Sequence, residues 1–198
     1  MKNSIDQIYD ELLVLRCQAG DKVAMNHLVG RWQPKLIRFA VLITRDPESG
    51  REAVQEGWIA IMRGLTRLRD PARYKQWMFR IVHNKCMDLL RAHRVTTTNA
   101  QAERPDNSVL NQVEDQEEIA HVLEGLSDDH RIVLALHYLY DLEVQDIAAS
   151  LGIPPGTVKS RLFNAREAFR QILEDKGGDH EQSRPADRTG LAGRYRFG

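Results

Sequence analysis

The side chains best suited to contacting a nucleic acid lie in one amphipathic stretch, GTVKSRLFNAREAFRQ, at residues 156–171. Wound as a helix, this stretch gathers Val158, Leu162, Ala165 and Phe169 into one apolar stripe. The residues that leave or flank the stripe are Thr157, Lys159, Ser160, Phe163, Asn164, Glu167 and Arg170, and Arg161 adds a cation for phosphate. Lysine can donate to guanine, asparagine can pair with adenine, and an aromatic edge can pack on a thymine methyl. The pattern therefore predicts a helix that reads duplex DNA.

The residues before this helix distinguish a DNA reader from an ordinary amphipathic helix with a solvated basic face. In DIAASLGIPPGTVKSRL, Ile147 and Leu151 pack a short first helix, and Gly152 permits a tight turn before the second. Such an arrangement is the helix-turn-helix pattern, whose second helix enters the major groove. The alternative is a stray Phe163 on a solvated face, since single exposed apolar residues are common. The preceding helix and turn favour the helix-turn-helix.

Helical periodicity dominates the rest of the chain, and we find no convincing alternating strand. Amphipathic stripes run over residues 25–43 and 53–65, and the second stripe places Met62 on its inward face. A third helix spans about 74–91 and has apolar residues nearly all round, which is typical of a helix buried by its neighbours. After it the sequence turns polar and loses its period.

These segments predict an all-α fold of two small helical domains joined by a flexible linker, with the helix-turn-helix in the second domain. The predicted bounds are 1–94 for the first domain, 95–114 for the polar, acidic linker, 115–175 for the second domain and 176–198 for a disordered tail.

The formal net charge of zero conceals a strong segregation of charge. Residues 1–94 carry 17 Lys and Arg against 10 Asp and Glu, whereas residues 95–129 carry one Arg against nine acids. A basic block therefore precedes an acidic one, and the zero total does not argue against a nucleic-acid partner.

Several other classes of protein find little support in the sequence. No run of eighteen apolar residues and no secretory signal occur, so we expect a cytoplasmic protein without membrane insertion. The cysteines Cys17 and Cys86 do not suggest a disulfide scaffold. His83 and Cys86 lie one helical turn apart, but no further cluster completes four zinc ligands, so we expect no metal and no cofactor. Phosphate-loop, dinucleotide and zinc-protease motifs are also missing, which argues against an enzyme.

Two separate parts of the chain resemble one protein family. GTVKSRLFNAREAF, preceded by LEGLSDDHRIVLALHYLYDLEVQDIAASLGI, is similar to region 4 of the extracytoplasmic-function sigma factors, small bacterial initiation factors with two helical domains. AGDKVAMNHLVGRWQPKLIRFA, TRDPESGREAVQEGWIAIMRGL and RDPARYKQWMFRIVHNKCMDLLR resemble region 2 of the same family. Two motifs in the right order make the resemblance specific. Locally, Pro154 stands where the family usually has Ser or Thr, Asn164 where a basic residue is common, and Arg51 where an acid is usual.

The resemblance implies two further sites in the first domain. The polymerase-binding residues would be Glu52, Gln55 and Glu56, which leave the apolar stripe and suit a basic partner on the β′ clamp. The surface that opens the −10 element and holds its single strand would be formed by Arg67, Arg69, Arg73, Tyr74, Lys75, Arg80, Asn84 and Arg91. Cations and an aromatic stacking platform are what single-strand grooves combine.

The implied function is that of a sigma factor, which binds core RNA polymerase through the β′ clamp and β flap and recognises the −10 and −35 elements of promoter DNA. The resemblance also implies an anti-sigma factor as a partner. The alternative is a helix-turn-helix repressor or activator that binds duplex DNA without being a polymerase subunit.

Overall fold

The computed structural model describes residues 2–96 and 125–181 and, within them, the side chains of 5–93 and 125–172. All regular elements in these ranges are helical, so the predicted all-α fold is confirmed. The α-helices are α1 (Lys2–Gln18), α2 (Lys22–Thr44), α3 (Pro47–Gly64), α4 (Tyr74–Thr96), α5 (Asp128–Leu134), α6 (Val144–Leu151) and α7 (Pro155–Glu181). Two short 3-10 turns, Leu65–Arg67 and Pro71–Arg73, connect α3 to α4, and a π-helical turn, Ala135–Leu139, extends α5.

Aspartates cap the N-termini of α2 and α3. Asp21 accepts hydrogen bonds from the amides of Val23 and Ala24 at the start of α2. Asp46 accepts from the amide of Ser49 at 2.7 Å, and Pro47 occupies the first position of α3, where a missing amide proton costs nothing. That hydrogen bonding holds the pKa of the Asp46 carboxyl below its usual value.

Four aromatic residues form the centre of the first half. The rings of Trp32, Phe39, Tyr74 and Phe79 are almost fully buried. Trp32 meets Tyr74 edge-on at 5.4 Å between centroids, and Phe39 meets Phe79 edge-on at 4.9 Å. Edge-to-face packing of this kind adds to the stabilisation from burial. The core thus lies where α2 and α4 face each other, with α1 and α3 on its flanks.

Helix α1 was not among the elements predicted from periodicity. Its Leu13 and Val14 are buried against the core, while Ile5, Ile8 and Leu12 on other faces are roughly half or more exposed. Apolar residues all round a helix blur the 3.6-residue period on which the prediction rests.

In the second half, α7 packs through the predicted stripe. Val158 and Ala165 are fully buried and Leu162 is almost so. Helix α7 packs on α5 and α6, which contribute the fully buried Val133 and Ile147 to the same hydrophobic core. The stripe therefore fixes which face of α7 points outward.

The two halves of the described chain are in direct contact. The buried Arg131 of α5 donates to the backbone oxygen of Leu42 in α2 at 2.9 Å. Tyr140 donates to the backbone oxygen of Lys35 at 3.0 Å, and its ring lies 4.7 Å from that of Phe79.

The structure corrects three details of the predicted organisation. Met62 is 48% exposed and does not face the core. Helix α4 continues to Thr96, into the predicted linker, and the backbone of α7 is helical to Glu181, beyond the predicted start of the tail at 176. The rest of the linker, residues 115–124 of the predicted second domain and residues 182–198 lie outside the described residues.

Within 2–96 and 125–181, none of the helices is long and apolar enough to cross a lipid bilayer.

Candidate nucleic-acid interface

Helices α6 and α7 form a helix-turn-helix. Gly152 ends α6 in the left-handed conformation, with φ of 68°, which glycine adopts without strain. Its amide and that of Ile153 both donate to the carbonyl of Ala148, which closes the turn. Helix α7 begins at Pro155, and the carbonyl of Pro154 accepts the first amides of the helix. Pro154 has no side-chain oxygen that could cap this helix.

The outward face of α7 carries the predicted base-contacting residues in one row. Phe163 is 69% exposed, and Lys159, Ser160 and Asn164 beside it are exposed as well. Thr157, at the edge of the row, is half-buried. Because Val158 and Leu162 fix the opposite face, this row is held toward solvent.

The remaining predicted residues of α7 are engaged within the protein. Arg161 pairs with Asp129 of α5 at 2.7 Å and is mostly buried, so it ties α7 to α5. Glu167 and Arg170 pair with each other at 3.2 Å on the exposed surface. Such exposed pairs are weak and exchange readily for other partners.

One cation outside the predicted set is positioned on the same helix. The Nε of Arg166 donates to the hydroxyl of Tyr138 at 2.8 Å, and its guanidinium lies 5.7 Å from the centre of that ring. Tyr138 is itself 45% exposed. The sequence shows Arg166 as a basic residue of this helix, but it does not predict the contact with Tyr138, because the two residues belong to different elements.

The predicted −10 surface begins on the connection between α3 and α4. Arg67, Arg69 and Arg73 are exposed there. The side chain of Gln18, the last residue of α1, donates to the carbonyls of Leu65 and Leu68 at 2.9 and 2.7 Å. Helix α1 therefore holds the backbone that presents these arginines.

The prediction for Tyr74 is wrong. Its ring is fully buried and its hydroxyl donates to Oδ2 of Asp10 at 2.6 Å. Asp10 is itself buried and accepts at Oδ1 from Nε of Arg31 at 2.7 Å. A ring enclosed by α1 and α2 cannot stack on a base, so Tyr74 is a core residue.

The other predicted members of this surface lie along α4. Arg80 and Asn84 are exposed one turn apart, and Arg91 is exposed and paired with Asp88 at 3.0 Å. Lys75 is half-buried, with its ammonium 6.0 Å from the centre of the Trp32 ring. Arg80, Asn84 and Arg91 are thus exposed on α4 and Arg73 directly before it, whereas Lys75 turns toward α2 and Tyr74 is buried.

The predicted polymerase-binding residues lie on the outer face of α3. Glu52, Gln55 and Glu56 are all exposed, and Glu56 lies 3.7 Å from the ammonium of Lys85. Beside them is a shallow groove between α2 and α3, lined by Val29, Gln33, Ile37, Arg51, Gln55, Trp58, Ile59 and Met62. The apolar part of this groove was missed, because Met62 fitted the inward stripe of α3.

His83 and Cys86 do not form a metal site with other side chains of the described residues, in which no group of three potential ligands occurs. Burial raises the pKa of the Cys86 thiol to about 12 and lowers the pKa of the His83 imidazole. The Cys86 thiol and the His83 imidazole are therefore neutral near pH 7, as suits side chains that pack on a helix face.

Comparisons with known proteins agree on one family. Models of the sigma-70 family match residues 28–96, as region 2, and residues 116–169, as region 4. The ECF RNA polymerase sigma-E factor of Escherichia coli is 33% identical over 183 residues, which cover 83% of this chain and 94% of that protein. The chain belongs to the ECF sigma factor family. A further relative, the RNA polymerase sigma-H factor of Pseudomonas aeruginosa, is 30% identical over 187 residues, covering 86% of this chain and 96% of that protein.

Solved structures show the same ECF sigma fold. CnrH in complex with the cytosolic domain of CnrY superposes with a TM-score of 0.60 at 24% identity, covering 84% of this chain and 98% of CnrH. The sigma factor RpoE in complex with the anti-sigma factor NepR, from Bartonella quintana, gives 0.61 at 22% identity, covering 76% of this chain and 96% of RpoE. In the present sigma factor, region 2 corresponds to α2–α4 and region 4 includes α5, α6 and most of α7.

Proposed function

We propose that this ECF sigma factor binds core RNA polymerase in the cytoplasm and directs it to promoters with a −35 and a −10 element. In this role the chain supplies recognition, and the polymerase supplies catalysis. The observation that carries the proposal is the exposed row on α7, because Lys159, Phe163 and Asn164 face solvent together on the second helix of a helix-turn-helix.

Region 4 reads the −35 element as duplex DNA in this proposal. Lys159 and Asn164 supply hydrogen bonds to base edges, and the exposed ring of Phe163 packs on thymine methyl groups. Arg166 and Arg170 lie further along the same helix and neutralise phosphates.

Region 2 holds the single strand of the opened −10 element in this proposal. Arg67, Arg69 and Arg73 on the connection before α4 and Arg80 on α4 attract the backbone of the strand. Tyr74 is left out of this site because its ring is buried. Asn84 extends the surface by one further helical turn.

The polymerase docks on α3 and the adjoining groove in this proposal. Glu52 and Glu56 face a basic surface of the β′ clamp, while the exposed Met62 supplies apolar contact beside them. Region 4 contacts the β flap. An anti-sigma factor covers the α2–α3 groove and thereby excludes the clamp.

The deciding experiment is in vitro transcription with purified core polymerase and a library of genomic promoter fragments. We expect promoter-specific transcripts that depend on this chain. DNA binding without such transcripts would instead support a regulator that acts outside the polymerase.

The assignment of α7 to the −35 element is tested by shortening two side chains of its exposed row to alanine. Lys159→Ala and Phe163→Ala each remove a base contact, so we expect promoter use to fall roughly 10-fold or more, the equivalent of about 1–3 kcal/mol per lost contact, with core binding retained. Lys22→Ala and Val23→Ala are matched controls on α2, where both residues are exposed. Footprints at the −35 element that are unchanged in both α7 variants would refute the assignment.

The polymerase assignment is tested by charge reversal on α3. Glu56→Lys places a cation opposite the basic clamp and beside Lys85, so we expect core affinity to fall at least several-fold. Glu48→Lys reverses the same charge on the same helix, at an exposed position in its first turn, and serves as the control. Equal core affinities of the two variants would remove α3 from the interface.

A further inference from the structure

Helix α1 carries a second apolar face on the side away from the core. Its inner side, which includes the buried Leu13 and Val14, packs on α2 and on the connection between α3 and α4. The outer side carries four large apolar side chains that are about half or more exposed: Ile5, Ile8, Leu12 and Leu15. At about 100° per residue, the centres of the two faces lie roughly 180° apart. Neither the core nor the proposed function uses the outer face, and a contiguous exposed apolar patch marks an interaction surface.

The spacing of the outer face is that of a coiled coil. Its exposed apolar residues follow one another at alternating steps of three and four, and we call them together the α1 seam: Ile5, Ile8, Leu12, Leu15 and Ala19. They therefore occupy positions a, d, a, d and a of a heptad repeat. Such a stripe is narrower than the face by which a helix packs into a globular core, and it is the seam along which one helix pairs with another.

The charges beside the α1 seam are complementary to those of a second copy in parallel orientation. Glu11 occupies position g, and Arg16 occupies position e of the following heptad. In a parallel coiled coil these two positions of neighbouring helices face each other. Glu11 of each copy therefore meets Arg16 of the other, once on either side of the seam. A surface that matches itself in this way closes into a two-fold dimer.

The same charges disfavour an antiparallel pair. In that arrangement position g faces position g, so Glu11 of one copy would meet Glu11 of the other. Within the single chain, Arg16 pairs with Asp21 at 2.7 Å and has a side chain that is 57% exposed, and Glu11 accepts from the side-chain amide of Gln7 at 2.9 Å. Exposed pairs of this kind are weak, so both groups are available to a second copy.

We propose that the α1 seam is a dimerisation surface, on which a second copy of this chain docks its own α1 in parallel. Packing of the inner face already holds α1 helical, so no helix has to form on association. A seam of about two heptads forms an interface below the ~1,200 Å² of standard stable complexes, so the dimer is weak and reversible. None of the residues proposed for DNA or polymerase contact belongs to α1, so pairing uses none of them.

Sedimentation equilibrium of the purified, full-length chain over a concentration series tests for the dimer. We expect reversible association with a dissociation constant on the order of 10–100 μM, as suits a small interface. Leu12→Glu places a carboxylate in the middle of the seam and should weaken association at least roughly tenfold. Gln7→Glu adds the same charge at an exposed position of α1 outside the seam and should leave association unchanged.

Exchanging the flanking charges tests the pairing of Glu11 with Arg16. Glu11→Lys and Arg16→Glu each place like charges on both sides of the seam, so each variant alone should associate roughly threefold or more weakly than the wild type. An equimolar mixture of the two variants forms a heterodimer in which both flanks are again complementary, so association should recover. Because any effect of a substitution on the single chain persists in the mixture, recovery reports the contact between copies.

Cysteine cross-linking tests the orientation. Ile5→Cys brings two thiols together in a parallel pair, whereas in an antiparallel pair Ile5 lies opposite Leu15 and about 15 Å along the helix from its counterpart. We expect disulfide-linked dimers of Ile5→Cys under mild oxidation and none of Gln7→Cys, which lies outside the seam. The native Cys17 and Cys86 are buried and serve as an internal background in both variants.

The outcomes separate the possible occupants of the seam. A wild-type chain that stays monomeric throughout the series, or a Leu12→Glu chain that associates as the wild type does, would overturn the proposal. Disulfides that form only when Ile5→Cys is mixed with Leu15→Cys would show an antiparallel pair and would overturn it as well. A monomeric chain in which Leu12→Glu, unlike Gln7→Glu, lowers the affinity for purified core polymerase would assign the seam to the polymerase instead of a second copy.

Discussion

Replacing Tyr74 by phenylalanine isolates a single buried hydrogen bond. The substitution removes one oxygen, and the ring can keep its edge-on contact with Trp32. What is lost is the donor at 2.6 Å from Oδ2 of Asp10, a carboxylate that is only 2% exposed and has Arg31 as its other partner. Burial, and then the bond to Asp10, raise the pKa of the Tyr74 phenol, so it is a proton donor throughout the working pH range.

The expected loss follows from the charge of the acceptor. Hydrogen bonds to charged groups contribute about 1.5–3 kcal/mol to stability, and the Asp10 oxygen that is left behind has no access to bulk water. With urea m-values of about 1–3 kcal/mol/M, Tyr74→Phe should lower the midpoint of unfolding by roughly 0.5–3 M. The measurement is urea denaturation followed by far-UV circular dichroism.

The matched control is Tyr138→Phe, which removes the hydroxyl of a tyrosine that is 45% exposed and contacts Arg166. We expect a change within about 0.5 kcal/mol there. Equal midpoints for Tyr74→Phe, Tyr138→Phe and the wild type would refute the buried network. The comparison also separates the core role of Tyr74 from base stacking, because a stacking ring would serve equally well as phenylalanine and would leave stability unchanged.

Three further predictions concern packing and titration. Gly50→Ala should lower the free energy of unfolding by about 1–3 kcal/mol in urea titrations, because the new Cβ would lie 2.7 Å from Cγ2 and 3.1 Å from the amide nitrogen of Val41, whereas Gly30→Ala meets nothing within 4 Å and should not destabilise. Cys86, fully buried with its pKa raised to about 12, should react with iodoacetamide on the order of 100-fold more slowly in the native chain than in urea. Burial lowers the pKa of His83, so below about pH 6.5 the folded chain binds fewer protons than the unfolded chain. The free energy of unfolding should therefore decrease as the pH is lowered, and His83→Gln should make that decrease smaller in urea titrations at about pH 7.5 and 5.5.

Local periodicity was sufficient to predict the helix-turn-helix. The stripe of Val158, Leu162 and Ala165 lies within two helical turns of one element, and Gly152 marks the turn before it. All of these residues lie close together in the sequence, so spacing alone determines which face of α7 is outward. That face includes Phe163, which is exposed as the pattern indicated.

Contacts between distant segments were not predictable in the same way. Tyr74 lies in a run of basic residues, which favours an exposed position, but Asp10, sixty-four residues earlier, provides a buried acceptor for its hydroxyl. Similarly, Arg131 is buried because the carbonyl of Leu42 accepts from it across a separation of 89 residues. No periodicity encodes such pairs, since each depends on how helices from two parts of the chain come together.

The two hydrogen bonds from Gln18 also bear on the entropy of binding. They fix the carbonyls of Leu65 and Leu68, and with them the backbone on either side of Arg67, before any ligand arrives. Ordering the backbone of one residue costs roughly 1–2 kcal/mol. For this segment the loss of backbone entropy occurs when the chain folds and not when DNA binds, so a strand that meets Arg67 encounters a preorganised surface. The side chain at the end of α1 thus sets how much affinity is lost to ordering at a site that it does not itself reach.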